Sequence, residues 1–418
     1  MNTYSSFGAY LRRLKNAERD ARVDLRAIDD VRSLLDGEAR AVTHRTLPSA
    51  TQKRLGAYFT GSALREMAWS KLGSRLRDGS VVLDPAVGAG DLLIPALTHL
   101  ATNTASITLL GFDIHEPFIA AARSRLGIAA AKAKLDGYEG HLNIRLRTCS
   151  GLTQRAAVKR STHIVMNPPF VPTIAPPNCP WGTGRVNQSA IFLDFVCSNA
   201  APGTEIVAIV PDVLRSGTNY IAWRRHLAAL VDIESVEQAG RFDSWADVDV
   251  AILHLRRLTS TKDTASDWGP LALVSGARIV RDQFDISVGT VVDYRSPRMG
   301  PWHLYLESRD APAGGTIKHV TKSRRFQGRV AQPPFVAVKR TSSPSDRNRF
   351  VATIVNTDRP VAVENHLLVA RPKSGRLADC KALVELLHSS RATHWVNAMN
   401  SCRHLTVTSL QMLPMDAK

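Results

Sequence analysis

Paired cysteines are missing from this chain of 418 residues. Its five cysteines are scattered and form no Cys-X-X-Cys pair, which argues against a zinc knuckle and against a disulfide-stabilised scaffold. Isolated cysteines are typical of proteins in a reducing compartment, so we expect a cytoplasmic protein.

Long hydrophobic runs are missing as well. No apolar run reaches the roughly 18 residues of a membrane span, and the first residues lack the apolar stretch of a secretion signal. We therefore expect no membrane partner. The 13 histidines include no His-Glu-X-X-His motif and no paired metal spacing, so the sequence predicts no catalytic metal.

Acidic residues are scarce relative to basic ones. The chain has 54 lysines and arginines against 37 aspartates and glutamates, a net charge of +17. A solvated basic surface would explain this balance, but the excess favours a polyanionic partner, most often nucleic acid. The hydrophobic share of 44% is that of an ordinary globular protein, and this length leaves room for two or three domains.

The chain divides into three stretches of different character. Residues 1–50 alternate acids and bases around apolar positions at helical spacing, which predicts an N-terminal helical segment. Residues 51–260 alternate strand-like and helical patterns, which predicts an α/β domain with a doubly wound, Rossmann-like parallel sheet. Residues 271–418 contain short β-branched runs followed by a helical pattern, which predicts a separate α+β domain. The segment 256–270 is the predicted linker.

A glycine-rich loop follows the first predicted strand in "VVLDPAVGAGDLL". The strand ends at Asp84, and Gly88 and Gly90 allow a tight turn close to a ligand. The next strand ends at Asp113, where doubly wound folds place the carboxylate that binds ribose hydroxyls. The pattern indicates an adenosine-containing cofactor. The loop lacks the lysine of a phosphate-binding loop, and Asp84 suits a cofactor with a positive centre and an amino acid end.

A second motif, "THIVMNPPF", ends another predicted strand in two consecutive prolines. An exocyclic amino group on a base is a poor nucleophile because its lone pair is delocalised into the ring. The Asn167 side-chain oxygen and the Pro168 carbonyl, fixed in direction by Pro168 and Pro169, would accept its two N–H bonds and free that lone pair. Phe170 would stack on a base that has left the duplex. The alternative is that Asn-Pro-Pro forms only a rigid turn.

In this order, the motifs resemble S-adenosylmethionine-dependent N6-adenine DNA methyltransferases of the restriction-modification type, over most of residues 52–418. The resemblance implies S-adenosyl-L-methionine as cofactor and double-stranded DNA as substrate, with a C-terminal target recognition domain. It places Phe242 near the target base and Asn167, Pro168, Pro169 and Phe170 in the catalytic motif. The cofactor contacts that it implies are Ala57, Tyr58, Phe59, Thr60, Asp84, Ala86, Gly88, Gly90 and Asp113.

The sequence departs from the family pattern at two places. Gly61 stands where the family usually has proline after Thr60. At the end of the third strand, where the family often has an acid that binds the cofactor's adenine, this chain has Cys149 and Ser150. Ser150 is therefore the residue predicted to bind the adenine instead.

Basic residues are concentrated in the last third of the chain. Between Lys318 and Arg349 there is one acid, Asp346. Bases on strands and loops, rather than on one helix face, indicate contacts to a phosphate backbone. The predicted DNA contacts are Lys322, Arg324, Arg325, Arg329, Lys339 and Arg340.

Several alternatives follow from the same residues. N4-cytosine methylation poses the same chemical problem as N6-adenine methylation. An RNA methyltransferase or a protein-glutamine methyltransferase would use a similar Asn-Pro-Pro motif. The intact Asn-Pro-Pro-Phe motif argues against a non-catalytic DNA-binding subunit, but the missing acid at the third strand leaves that alternative open. A restriction nuclease or another defence-system protein is a possible partner.

Overall fold

The computed structural model describes residues 5–23, 31–36, 38–46, 52, 59–72, 76–98, 106–242, 248–263, 265–269, 278–342, 348–399 and 405–415. The chain forms two compact units, Met1–Trp268 and Gly269–Lys418. Each unit has its own sheet and its own buried core.

A seven-stranded sheet is the centre of the first unit. The strands of this unit are β1 (Val81–Asp84), β2 (Ile107–Asp113), β3 (Leu142–Thr148), β4 (His163–Met166), β5 (Pro172–Ile174), β6 (Arg185–Asn187), β7 (Glu205–Pro211), β8 (Val231–Arg241) and β9 (Asp249–Arg257). The sheet order is β3-β2-β1-β4-β7-β9-β8, while β5 and β6 form a separate hairpin.

The first five strands of that order run parallel, and β9 is antiparallel to both of its neighbours. The chain order reverses between β1 and β4, which is the point where doubly wound sheets bind ligands beyond the carboxyl ends of their strands. Buried parallel strands read as continuous apolar runs, and all four residues of β4 are buried. The predicted doubly wound, Rossmann-like sheet is confirmed, with an antiparallel addition at one edge.

Helices cover both faces of this sheet. The helices are α1 (Ser5–Val23), α2 (Val31–Leu35), α3 (Glu38–Thr46), α4 (Ser62–Leu72), α5 (Ile94–Thr98), α6 (Glu116–Leu135), α7 (Arg155–Arg160), α8 (Gln188–Asn199), α9 (Asp212–Ser216) and α10 (Ile221–Leu230). Side chains of successive strand residues point to opposite faces of the sheet, so Val82 lies in the core on one face and Leu83 in the core on the other. Helix α1 packs along α6, and Phe7 and Leu14 lie in the same core as Val82.

The second unit combines two sheets with a group of helices. Its elements are α11 (Val280–Gln283), β10 (Phe284–Val288), β11 (Trp302–Leu306), β12 (Thr316–Ile317), β13 (Ser323–Arg325), β14 (Phe335–Lys339), β15 (Ala352–Val355), β16 (Val361–Val363), β17 (Leu367–Pro372), α12 (Leu377–Leu387), α13 (Ser390–Met399) and α14 (Val407–Gln411). The five-stranded sheet has the order β10-β17-β14-β15-β12, and the three-stranded sheet has the order β13-β11-β16. The predicted α+β class of the C-terminal part is confirmed.

A helix that spans a membrane must be both long and apolar. Within the described segments, none of the helices combines the length and the apolar character that a bilayer span requires.

Candidate active site at the carboxyl ends of the parallel strands

A cavity of about 270 Å³ lies where β1, β2, β3 and β4 end. Most of the residues predicted from sequence to form the site line this cavity. They are Phe59, Thr60, Asp84, Ala86, Gly88, Asp113, Ser150, Asn167 and Pro169. Gly90, Pro168 and Phe170 are close in sequence to the lining residues but are not part of the lining. Ala57 and Tyr58 lie outside the described residues.

The glycine loop after β1 has a backbone that only glycine adopts easily. Gly88 has φ +50° and Gly90 has φ +87°, both in the left-handed region. A Cβ on Gly88 would lie 2.9 Å from the ring of Phe59, and one on Gly90 would lie 3.4 Å from the Cα atom of Ala122. The loop therefore turns tightly between Phe59 and helix α6, and its backbone faces the cavity.

Asp113 is already oriented by hydrogen bonds to this loop. Its Oδ2 atom accepts from the Gly88 amide at 3.1 Å, and its Oδ1 atom accepts from the His115 amide at 2.8 Å. The Nδ1 atom of His115 lies 2.9 Å from the same Oδ1 atom. The sequence analysis did not identify His115, although it stands two residues after the predicted acid. The carboxylate is held in one position at the mouth of the cavity.

Asp84 is the most deeply buried acid of the cavity, with 2% of its surface exposed. Burial raises the pKa of its carboxyl group from 3.8 to about 8, and the nearby Asp113 and Asp91 carboxylates act in the same direction. The Ala86 amide, which donates to the Asp84 Oδ1 atom at 2.9 Å, offsets part of this. The carboxyl group of Asp84 is consequently protonated at neutral pH in the free protein. No cationic side chain is among the groups that shift its pKa.

The end of β3 approaches the glycine loop so closely that a side chain would not fit. A Cβ on Gly151 would lie 2.0 Å from the Pro85 carbonyl oxygen. The neighbouring Ser150 lines the cavity, and its carbonyl accepts from the Thr153 hydroxyl at 2.8 Å. Gly151 was not predicted from the sequence, where the available signal is a glycine three residues after the end of the third strand. Its lack of a side chain brings Ser150 and Pro85 together on one wall.

The Asn-Pro-Pro-Phe segment leaves β4 with its asparagine fixed in orientation. The Asn167 Nδ2 atom donates to the Thr60 hydroxyl oxygen at 3.0 Å, so the amide nitrogen is turned toward Thr60. The Ser189 hydroxyl donates to the Pro169 carbonyl oxygen at 3.0 Å and lies 3.3 Å from the Pro168 carbonyl oxygen. Thr60 was predicted only as a cofactor contact, and Ser189 was not predicted.

Phe170 contacts the aromatic residue that the family resemblance had placed nearby. Its ring centroid is 5.5 Å from that of Phe242, with the two planes 81° apart. Phe242 is 4% exposed, whereas Phe170 is only partly buried against the same core. An edge-to-face contact of this kind fixes the orientation of the more exposed ring, so Phe242 holds the Phe170 ring in place.

Arg125 links the glycine loop to the N-terminal helices. This arginine of α6 has no exposed surface. Its guanidinium donates to the Asp91 carboxylate at 2.8 Å and to the Ala89 carbonyl at 2.6 Å. It also donates to the Leu34 carbonyl at 3.0 Å and to the Leu35 carbonyl at 2.9 Å. Burial, the largest single cause, lowers the pKa of Arg125, but the combined effect of Asp91, Tyr10 and Asp36 is larger and the pKa is raised.

Three aromatic rings connect the same N-terminal helices to the cavity wall. Phe118 packs edge-on against Phe59 with ring centroids 5.1 Å apart, and against Phe7 with centroids 5.7 Å apart. Phe59 and Phe118 both line the cavity. Because Phe7 belongs to α1, the N-terminal helices form the outer support of this wall.

In the second unit, one residue predicted to contact DNA is buried. Arg324 is 3% exposed, and its guanidinium pairs with Asp293 and donates to the Ser296 carbonyl at 2.6 Å. A side chain held in this way cannot reach a phosphate. The prediction for Arg324 is therefore corrected: this arginine has a structural role inside the unit.

The other predicted DNA contacts have different environments. Lys322 bridges Glu307 and Asp310, at 2.8 and 2.7 Å. Arg325 is exposed, and its Nε atom donates to the Gly300 carbonyl at 2.9 Å. Arg329 is exposed, and Lys339 and Arg340 are half-buried, with Arg340 donating to the Asn365 carbonyl at 2.9 Å.

Among the residues that the structure describes, no group of three or more His, Cys, Asp or Glu side chains is arranged to hold a metal ion.

Several solved structures are similar to this chain at low identity. The type IIG restriction endonuclease BpuSI is 14% identical over 90% of this chain and 60% of its own, with a TM-score of 0.45. A putative class I S-adenosylmethionine-dependent methyltransferase from Listeria monocytogenes is 14% identical over 57% of this chain and 73% of its own, with a TM-score of 0.43. A modification subunit of a putative type I restriction enzyme from Vibrio vulnificus is 13% identical over 64% of this chain and 54% of its own, with a TM-score of 0.41.

One family model matches part of the chain. No curated protein sequence matches the chain, but residues 38–200 match the family model described as N-6 DNA Methylase. This segment contains β1 to β4, the glycine loop and Asn167–Phe170, which are the parts that build the cavity. The similarity to the N-6 DNA methylase family is therefore located in the part of the chain that forms the cavity.

Proposed function

We propose that this protein methylates DNA at the N6 amino group of adenine, with S-adenosylmethionine as the methyl donor. The observation that carries the proposal is the orientation of Asn167. Its amide nitrogen is bonded to Thr60 at 3.0 Å, which makes its oxygen the side-chain atom that can serve as an acceptor beside the cavity. The family match over residues 38–200 supports the choice of DNA and of the N6 position.

The residues that line the cavity fit S-adenosylmethionine. Gly88 and Gly151 line the cavity with backbone alone, and a Cβ would clash with Phe59 at the first position and with the Pro85 carbonyl at the second. Asp113, held by the Gly88 amide, would bind the ribose hydroxyls. Asp84 would face the cationic part, and Ser150 would bond the adenine. When bound, S-adenosylmethionine would supply a methyl group from its cationic sulfonium to the amino nitrogen. The C–S electron pair would remain on sulfur as a neutral thioether, and one amino proton would pass to water.

The Asn-Pro-Pro-Phe segment would prepare the amino group for attack. The Asn167 Oδ1 atom and the Pro168 carbonyl oxygen accept the two amino hydrogens and draw the nitrogen toward tetrahedral geometry. Both acceptors are fixed before the substrate arrives, so little reorganisation is required at the transition state. Ser189 and Thr60 hold the segment in place. Phe170, supported by Phe242, would stack on the flipped base.

The proposed reaction is tested by analysing its product. The full-length protein is incubated with S-adenosylmethionine and genomic DNA from a host that lacks adenine methylation. The DNA is then digested to nucleosides for mass spectrometry. We expect N6-methyladenine that depends on the cofactor. Methylated cytosine without N6-methyladenine would overturn the choice of base, and methylated RNA or protein without methylated DNA would overturn the substrate.

Asp113→Ala is expected to weaken S-adenosylmethionine binding by about 1.5–3 kcal/mol, the usual worth of a hydrogen bond to a charged group. Isothermal titration calorimetry measures this loss directly. Asp113→Asn keeps the shape but removes the charge, so its loss should be smaller. Glu139→Ala, at an exposed acid outside the cavity, is the matched control. Wild-type affinity in a folded Asp113→Ala protein would contradict the role of this carboxylate.

S-adenosylmethionine affinity is expected to rise with pH up to about 8. The pKa of Asp84 is raised to about 8 by burial, so the neutral form predominates below that pH and a proton must leave before a cation binds. Affinity should therefore fall by up to about tenfold for each pH unit below 8. The free energy of unfolding of the free protein has the opposite pH dependence. The stability that accompanies the neutral carboxyl is fully present below 3.8 and declines as pH rises from there to about 8.

Calorimetry of Asp84→Asn across the same pH range is the control for this effect. The cofactor's own amino group titrates equally in both proteins, so the difference between the two curves isolates Asp84. Parallel curves for the wild type and Asp84→Asn would show that the carboxyl of Asp84 does not ionise on binding.

A further inference from the structure

Three large apolar side chains are exposed in the segment that follows β10 and ends at the first residue of β11. Tyr294 is 81% exposed, Met299 is 60% exposed and Trp302 is 68% exposed. Among the described residues of the second unit, these three are the large hydrophobic side chains left exposed. Single exposed apolar residues are ordinary, but a cluster within nine positions marks an interaction surface.

Arginines alternate with these apolar side chains. The guanidinium of Arg295 lies 5.3 Å from the ring centroid of Tyr294. Arg325 of β13 is paired directly with Trp302 of β11 in an antiparallel register, so the two side chains lie on the same face. Arg298 is exposed in the same segment. We call these residues the Arg–aromatic surface: Tyr294, Arg295, Arg298, Met299, Trp302 and Arg325.

The buried Arg324 gives this surface a rigid base. Its guanidinium pairs with Asp293 and donates to the Ser296 carbonyl at 2.6 Å, which ties the segment to β13. Because strand residues alternate between faces, Arg325 points outward where Arg324 points inward. The Arg325 Nε atom bonds the Gly300 carbonyl at 2.9 Å, so both ends of the segment are fixed. A surface that is ordered in advance loses less entropy on binding.

Charge favours one class of partner. Asp293 is the one acid between Gly289 and Trp302, and it is already paired with Arg324. The outward charge of the surface therefore comes from its three arginines. Cations that neutralise phosphates, interleaved with rings on which bases stack, are the combination found in nucleic-acid contact surfaces. An apolar partner would leave these arginines without counter-charges.

We propose that the Arg–aromatic surface contacts DNA, with Trp302 and Tyr294 against base or sugar faces and the arginines against phosphates. The proposal rests on the proposed function in its choice of DNA as the polyanion. It differs from the contacts predicted from sequence, since only Arg325 belongs to both sets. The aromatic rings give the surface a preference for DNA whose base stack is opened, because stacking requires an accessible base face.

Fluorescence anisotropy of the full-length protein on a labelled duplex with one mismatch, and on its fully paired counterpart, tests the surface. Trp302→Ala is expected to weaken binding to the mismatched duplex by about 5- to 100-fold, the range for losing one base–aromatic stack. The preference over the paired duplex should shrink with it. Arg295→Ala and Arg298→Ala should each reduce the slope of log affinity against log salt by about 0.9.

Controls distinguish a loss of DNA contacts at this surface from a general loss of positive charge and from unfolding of the variants. Lys381→Ala removes an exposed cation on α12, outside the surface, and should leave the affinity and the salt slope unchanged. Substitutions at exposed positions rarely change stability by more than about 0.5 kcal/mol, and thermal unfolding checks that the variants remain folded. Heparin, which has no bases, should bind wild type and Trp302→Ala equally.

Distinct results would overturn the surface and the proposed function. Two variants test the surface as a DNA contact: Trp302→Ala, and Arg295→Ala combined with Arg298→Ala. If both bind DNA with the affinity and the salt slope of the wild type, the proposed DNA contact is overturned, even if the protein methylates DNA. Sedimentation showing a dimer that Trp302→Ala separates would assign the surface to a second copy of the chain and overturn it as a DNA contact. Weakened DNA binding by these variants, in a protein that forms no methylated base, would uphold the surface and overturn the proposed function.

Discussion

Asn167→Ala is expected to lower the rate of methyl transfer by about 10²- to 10³-fold, the usual cost of removing one preorganised group that stabilises a transition state. Asn167 supplies a side-chain oxygen at the end of β4, and its amide is oriented by the Thr60 hydroxyl at 3.0 Å. Because this acceptor is proposed to act on the substrate's amino group and not on the cofactor, the affinity for S-adenosylmethionine should remain close to that of the wild type. Single-turnover kinetics with radiolabelled cofactor, alongside calorimetry, measure the two quantities separately.

Two variants sharpen this measurement. Thr60→Val keeps the asparagine but removes the oxygen to which its amide nitrogen donates, so we expect a smaller loss of rate. Asn199→Ala changes an asparagine of α8 that bonds the Phe195 carbonyl at 2.7 Å, away from the cavity, and should leave the rate unchanged. Full activity in a folded Asn167→Ala protein would refute the proposed role of the asparagine.

Arg125→Met is expected to destabilise the first unit by about 3–5 kcal/mol, the usual cost of breaking a buried ion pair from one side. Methionine fills much of the same volume but leaves the Asp91 carboxylate, whose side chain is 7% exposed, without its counter-charge. It also removes the Arg125 donor from the Ala89 and Leu34 carbonyls, while the Leu35 carbonyl keeps its second donor, Arg65, at 3.2 Å. Urea denaturation followed by tryptophan fluorescence measures the change in the free energy of unfolding.

Arg123→Met is the matched control for this substitution. Arg123 lies on the same helix and is exposed, so its loss should change the stability by no more than about 0.5 kcal/mol. Adding Asp91→Asn to Arg125→Met removes the unpaired charge and should recover part of the loss, because residues in one network are not additive. A loss for Arg125→Met as small as that for Arg123→Met would show that the buried network contributes little.

If the network has the expected strength, the N-terminal helices support the cavity in which we propose that the cofactor binds. Arg125 joins the carbonyls of α2 to the backbone and carboxylate of the glycine loop. Phe7 of α1 supports Phe118 and, through it, Phe59 at the cavity wall. Residues 1–50 were predicted only as a helical segment of unknown role. The packing gives their helices a function in holding the loop and the wall of the cavity.

Local sequence pattern determined the class of the fold and the position of the site. Continuous apolar runs such as residues 81–83 and 164–166 predict buried parallel strands, since such strands are covered on both faces. Gly88, Asp113 and Asn167 stand at strand ends, and the carboxyl ends of parallel strands meet along one edge of the sheet. These residues could therefore be assigned to a single site before any contact between them was known.

Only the tertiary structure decided which side chains are available to act. Arg324 and Arg325 are adjacent and chemically identical, yet the first is buried against Asp293 and the second is exposed beside Trp302. Strand alternation makes two faces available, but which face is buried depends on how β13 pairs and on an acid 31 residues away in sequence.

Contacts between residues distant in sequence also explain which features of the cavity could not be predicted from the sequence. The Asn167 amide is oriented by Thr60, 107 residues away in sequence, and the glycine loop is braced by Arg125 from 34 residues away. The close approach of Gly151 to Pro85 and the raised pKa of Asp84 arise from packing around the loop. Periodicity and motif spacing report local preference, whereas burial, hydrogen-bond partners and pKa depend on the segments that folding brings together.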